Sequence, residues 1–227
     1  MKAPTVDYSG FRLSRLRDPR FSHLLLLGSW IVYFLLYFIT EQFIPAEDCY
    51  VVYSPLDDRI PFCEVFVIPY VFWYFLVAGS LLYFALYNVD SFKKLSTLIM
   101  ITQIVAMTIY ILFPNRQDLR PAEFPRDNFL TDCVALLYTA DTSTNVCPSL
   151  HVGYSLCLAS VWLKEKGVSR LWKAFVVVAV ILICLATVFI KQHSVVDGYA
   201  AAIMCLGAEI IVYRKYYLEK LRNWKSR

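Results

Sequence analysis

Six stretches of the chain run apolar for about the length of a helix: His23 to Thr40, Val65 to Tyr87, Leu95 to Phe113, Leu150 to Leu163, Leu171 to Ile190 and Val195 to Tyr213. Crossing about 30 Å of hydrocarbon takes roughly 20 such residues in helical form, so the pattern predicts six transmembrane helices. The fourth run is short for a span and implies little tilt, whereas the second is long enough to tilt. Between the third and fourth runs, Phe129, Leu130, Cys133, Val134 and Leu137 fall on one face at helical spacing, which predicts a short helix lying along the membrane surface. The basic, amphipathic segment from Phe11 to Arg17 reads as an interfacial anchor. With no internal repeats and no Pro- or Gly-rich linker, the expected fold is all-α: one six-transmembrane-helix bundle over residues 1–227, with a short interfacial helix in the third-fourth loop. The first run is too long for a signal-peptide core and lacks a small-residue cleavage site, so it is expected to be a helix of the mature protein.

Composition strengthens the membrane reading. Apolar residues make up 59% of the 227 and charged ones only 18%, with a mean hydropathy of +0.53, beyond the range of soluble domains. The net charge of +4 does not point to nucleic acid, because the basic residues cluster beside apolar runs. Seventeen of the 22 lysines and arginines fall in the N-terminal segment (Lys2 to Arg20), at Lys93 and Lys94, between Lys164 and Lys173, or from Arg214 to Arg227. The other connections hold only Arg59, Arg116, Arg120, Arg126 and Lys191. Positive charge resists translocation, so both termini are expected in the cytoplasm and the sparse side outside, in the cell membrane.

Two of the three histidines lie where this topology puts outer helix ends. His151 follows Cys147-Pro148-Ser149-Leu150 at the start of the fourth run. His193 precedes the sixth, four residues before Asp197, a spacing that lets the carboxylate orient the imidazole on one helical face. Pro148 and Ser149 resemble a helix opening, whose free N–H groups favour an anion. Arg116, Arg120 and Lys191 are the nearby cations, and guanidinium groups clamp phosphate oxygens. A histidine beside a carboxylate, a second histidine opposite it and a basic cradle suffice for nucleophilic attack on phosphorus with general-acid help, with no metal and no cofactor.

These residues resemble the type 2 phosphatidic acid phosphatases, membrane lipid phosphatases of the vanadium-haloperoxidase-like superfamily, over most of the chain. The family's Pro-Ser-x-His motif is matched at Pro148, Ser149, Leu150 and His151, with Leu150 where glycine is commonest. Its last motif is matched at His193 and Asp197, with Ala186 and Thr187 where Ser-Arg would stand. Its first is matched at Arg120-Pro121, with Phe113 in the lysine position and Arg116 as a substitute charge. The resemblance implies that His193 attacks phosphorus to form a phosphohistidine, that Asp197 positions and polarises His193, and that His151 protonates the leaving lipid oxygen. It implies phosphate contacts from Arg116, Arg120, Ser149 and Lys191, and a lipid phosphomonoester or diphosphate as substrate. The sphingomyelin and inositol phosphorylceramide synthases use a similar arrangement to pass a phospho-headgroup to a lipid alcohol, which leaves transfer beside hydrolysis.

Other residues invite plainer readings. His23 is expected to be an interfacial or hydrogen-bonded residue, and Arg126 a helix-start charge. Glu209 is expected to pair with Arg214 or to snorkel at the inner interface. Cys49 and Cys63, and likewise Cys133 and Cys147, are outer-loop pairs fourteen residues apart, open to disulfide formation or to free thiols. Cys157, Cys184 and Cys205 are expected as small packing residues inside spans.

Overall fold

The computed structural model describes residues 4–225; Lys2 and Arg227 of the charge tally lie outside them. The fold is all-α, with eight helices among the described residues: α1 (Gly28–Phe43), α2 (Val67–Tyr87), α3 (Val89–Leu112), α4 (Phe129–Ala140), α5 (Leu150–Lys164), α6 (Arg170–Phe189), α7 (Val195–Val212) and α8 (Arg214–Lys225). The only sheet among these residues is a two-stranded parallel ribbon of β1 (Tyr50–Val51) and β2 (Asn115–Arg116). Five helical stretches, Ser22–Phe43, Glu64–Tyr87, Val89–Leu112, Arg170–Phe189 and Val195–Val212, are long and apolar enough to cross a membrane. Large apolar side chains such as Leu35, Phe38, Phe75, Ile203 and Leu206 point outward from them, as suits an integral membrane protein.

Local signals explain the helix ends. α3 begins six residues before its apolar run because Asn88 caps it, its side chain accepting the Ser91 N–H at 3.2 Å. Asn128 and Thr131 form a capping box at the start of α4. α1 is preceded by a 3-10 turn, Ser22–Leu27. The segment beyond α7 forms a helix, α8, that the apolar pattern alone does not reveal.

At 15 residues α5 is the shortest helix of the apolar core, and it is also the central one, packing on α2, α3, α6 and α7. Its approach to α7 is close because Gly153 has no side chain. A Cβ there would lie 3.3 Å from Met204 Cε and 3.8 Å from Cys205 Sγ, and the Cys205 thiol donates to the Gly153 carbonyl at 3.2 Å. α1 packs chiefly on α3, and α2 on α3, α5 and α6. The long loops, Ile44 to Cys63 and Phe113 to Ser149, gather at the end of the bundle where α5 and α7 start. The N-terminal segment and α8 lie at the other end, where Thr5 N–H donates to Leu86 O at 2.8 Å.

Candidate active site

α7 opens with Ser194 as N-cap and Asp197 three residues on, a reciprocal capping box in which Asp197 Oδ2 accepts the Ser194 N–H at 3.0 Å. The same oxygen lies 3.0 Å from His193 Nδ1. The carboxylate thus fixes the helix start and the imidazole together, and a proton on Nδ1 leaves the Nε2 lone pair for chemistry. Asp57 braces this start from the first long loop: its carboxylate accepts the Ser194 hydroxyl at 2.6 Å and the Val195 N–H at 2.9 Å. A negative charge there also suits the positive end of the helix dipole.

His151 enters from α5. The two helix starts are tied by Ser149 N–H donating to the Asp197 carbonyl at 3.1 Å. The Pro148 carbonyl accepts the Tyr110 hydroxyl at 2.7 Å. Asn115 holds the preceding loop: its Oδ1 accepts from Val146 N and Cys147 N at 3.0 and 2.8 Å. The outcome is a 5.9 Å separation between the His151 and His193 ring centroids. His151 lies against Tyr70 and Trp73, with ring centroids 4.3 and 4.2 Å away. Its Nε2 is buried with no hydrogen-bond partner, and so is Asp197 Oδ1.

Around the pair runs a polar chain. The Tyr70 hydroxyl donates to Asp141 Oδ2 at 2.8 Å and sits 3.4 Å from His151 Nδ1. Gln192 Nε2 donates to the same Asp141 oxygen at 3.0 Å, while its Oε1 accepts from Arg120 at 2.6 Å. Arg120 also donates to the carbonyls of Tyr138 and Asp141 at 3.1 and 2.5 Å, and its guanidinium carbon lies 4.4 Å from the centre of the Tyr138 ring. Burial pulls its pKa below the usual arginine value, against the opposing influence of Asp141.

Both histidines line a cavity of about 730 Å³. Trp30, Tyr33, Phe34 and Tyr37 of α1 form one wall and Trp73, Tyr74, Val77 and Leu81 of α2 the other; Asp141, Thr142 and Gln192 lie at the end with the histidines. α1 and α2 do not pack closely on each other, and the cavity occupies the gap between them. Its size and largely apolar walls fall within the range of small-molecule sites.

None of the four residues expected to cradle phosphate lines this cavity, and each is engaged elsewhere. Arg116, on β2, donates to Ala46 O at 2.5 Å and pairs with Asp118 at 3.2 Å. Lys191 takes a left-handed backbone conformation (φ 55°) after α6. That turn sends its ammonium to the carbonyls of Asp57 and Ile60, at 2.7 and 2.5 Å, and burial lowers its pKa from the usual lysine value. Ser149 is fully buried as the N-cap of α5, accepting Val152 N–H at 3.4 Å. Arg120 reaches the cavity only through Gln192. Among the described residues no group of three His, Cys, Asp or Glu side chains is placed to hold a metal ion.

His23 lies at the opposite end, its Nε2 2.8 Å from the Tyr8 hydroxyl. Arg126 clamps Glu64 at 2.7 and 2.6 Å beside the capped start of α4. Glu209 pairs with Lys164 at 2.6 Å rather than with Arg214, because α5 runs alongside α7 and brings the lysine to it. All seven cysteines are free thiols. Burial and the nearby Asp197 carboxylate push the Cys147 thiol up to about 12.

Asp141, Gln192, Tyr70, Asn115 and Asp57 were not singled out by the sequence. Their contacts cross 31 to 138 positions of the chain and leave no local pattern. Only the cost of a carboxylate beside apolar runs could have drawn attention to Asp141. No family model, curated protein or solved structure matches the chain.

Proposed function

We propose that the chain is an integral membrane enzyme that removes phosphate from a lipid phosphomonoester or diphosphate at the outer leaflet, as the resemblance to the type 2 phosphatidic acid phosphatases implies. In this reading α5 is the sixth span beside the five longer ones, its rise of about 22 Å extended by the buried loop before it. α4 lies along the outer surface, and both termini are cytoplasmic, in line with the bias of positive charge.

The observation that carries the proposal is the convergence of His193, held at Nδ1 by Asp197, with His151 at 5.9 Å on one cavity wall. His193 Nε2 attacks phosphorus as the bond to the lipid oxygen breaks, and His151 gives that oxygen its proton. Water then attacks the phosphohistidine, passing a proton back to His151, and inorganic phosphate leaves. Arg120 with Gln192 supplies the positive edge nearest the phosphoryl group, and the aromatic gap between α1 and α2 takes the lipid tail.

The test assays purified protein with phosphatidate, an isoprenoid diphosphate, phosphatidylglycerol phosphate and a sphingoid phosphate, with chelator present. Phosphate release from at least one of them is expected, with a phosphorylated His193 trapped by acid-free quenching. His193→Ala should lower the rate about 10⁶-fold, the scale of losing the nucleophile of a catalytic triad. A folded His193→Ala protein with near-normal activity removes the mechanism.

Headgroup transfer is the second reading, favoured by the width and apolarity of the cavity, which has room for an acceptor lipid alcohol and little to hold water. Adding ceramide or diacylglycerol and finding new phospholipid in place of free phosphate selects it.

A further inference from the structure

Two carboxylates stand behind the two histidines, and the proposed chemistry uses only one of them. Asp197 holds His193 directly. Asp141 comes from the loop after α4 and meets the neighbourhood of His151 through the hydroxyl of Tyr70, which is 2.8 Å from Asp141 Oδ2 and 3.4 Å from His151 Nδ1. A tyrosine hydroxyl has one proton to give, and a carboxylate is the stronger acceptor, so that proton goes to Asp141. The hydroxyl oxygen is then left to accept from His151, which requires the imidazole proton to sit on Nδ1. The other nitrogen, Nε2, is the one that is buried without a partner.

We infer that Tyr70 and Asp141 are positioning residues for His151, a hydroxyl-bridged counterpart of the Asp197–His193 pair that fixes the tautomer and supports the second proton on the ring. The inference rests on the lipid phosphatase reading. An imidazolium in an apolar pocket is costly unless a negative charge answers it, and the Asp141 carboxylate, joined to the ring through one hydroxyl, supplies such an answer. Gln192 fixes the same carboxylate oxygen from the side of His193, at 3.0 Å. The stacking of the Tyr70 ring on His151 keeps the hydroxyl in register. In the first step His151 Nε2–H transfers its proton to the leaving lipid oxygen while Nδ1–H stays pointed at Tyr70. In the second step the emptied Nε2 takes a proton from the attacking water. Each half-reaction returns the ring to the state the next one needs.

The experiment compares leaving groups. An alkyl oxygen needs a proton as it departs and a 4-nitrophenolate does not, so loss of general-acid support slows the first and spares the second. Tyr70→Phe, which keeps the ring stack, and Asp141→Asn are made in the full chain and assayed on phosphatidate and on 4-nitrophenyl phosphate, beside wild type, His151→Ala and His193→Ala. Phosphatidate turnover is expected to fall about 10- to 100-fold in Tyr70→Phe and Asp141→Asn, part of the roughly 10²- to 10⁴-fold that general acid–base catalysis contributes. The pre-steady-state burst of 4-nitrophenolate, which reports phosphoryl transfer to His193 before water attacks, should stay within about threefold of wild type in both variants; His151→Ala should keep that burst while losing turnover of phosphatidate, and His193→Ala should give neither. Equal losses of phosphatidate turnover and of the 4-nitrophenolate burst in Tyr70→Phe, or no loss in either, overturn the inference alone. An active His193→Ala protein, or a wild-type protein that turns over neither substrate, overturns the phosphatase reading and the inference with it.

Discussion

The two ends of the bundle both draw carboxylates out of full contact with water, and they treat them differently. At the end with the N-terminal segment and α8, Glu209 accepts from Lys164, Ser160 and Tyr217 at 2.6, 2.5 and 2.6 Å. Glu165 there accepts from Asn88 at 2.8 and 3.0 Å and from Ser91 at 2.5 Å. The Lys164 ammonium also lies 4.5 Å from the centre of the Tyr213 ring. At the other end Asp197 and Asp141 anchor a set that stops short of closure. Arg120 Nε and His151 Nε2 are buried without a partner, and both belong to that half. Buried polar groups normally find partners. Closed at one end, the network reads as scaffold; incomplete at the other and bordering a cavity, it reads as a place for a ligand and a reaction.

That contrast breaks if substitutions at the two ends have the same kind of effect. The largest difference is expected from Asp197→Asn, which frees the His193 tautomer: turnover should fall about 10³- to 10⁴-fold, as for the equivalent change in a serine protease triad, while the melting temperature in detergent stays close to wild type. Comparable loss of stability would make Asp197 a capping residue first. Next comes Lys164→Met, which strands Glu209 near the closed end. Breaking a buried pair costs about 3 to 5 kcal/mol, and the partial exposure of this one reduces the expected loss to about 1 to 3 kcal/mol. Thermal unfolding should register it, and turnover per folded molecule should not change. The smallest effect is expected from Arg116→Ala, within about threefold in KM, because its guanidinium serves Ala46 and Asp118. A tenfold rise in KM would mean that the loop swings Arg116 inward when substrate binds.

All the helices but α8 were legible in the sequence because each carries its own apolar signal, and most observed ends of the six expected spans lie within three residues of the expected ones. The exceptions are the start of α1, five residues late because a 3-10 turn precedes it, and the early start of α3, which comes from Asn88, a polar cap outside the apolar run. The His193–Asp197 contact was legible for the same reason, being a four-residue spacing on one helix start. The proximity of His151 to His193 could be expected only as a shared side; the distance itself depends on how α5 meets α7. The basic cradle was the least legible part. A lysine's direction after a helix follows from one left-handed residue, and Lys191 is that residue. Charge near a site in the sequence did not become charge facing it. Asp141 was hidden by the opposite circumstance, a polar residue at the edge of an amphipathic helix whose partners come from α2 and from the turn before α7.

Gly153, two residues beyond His151, has its Cα where a methyl would press on Met204. The span between the two imidazoles is therefore calibrated by an interhelical seam outside the cavity. Bulk added at that seam would change the spacing of the two rings without altering either one.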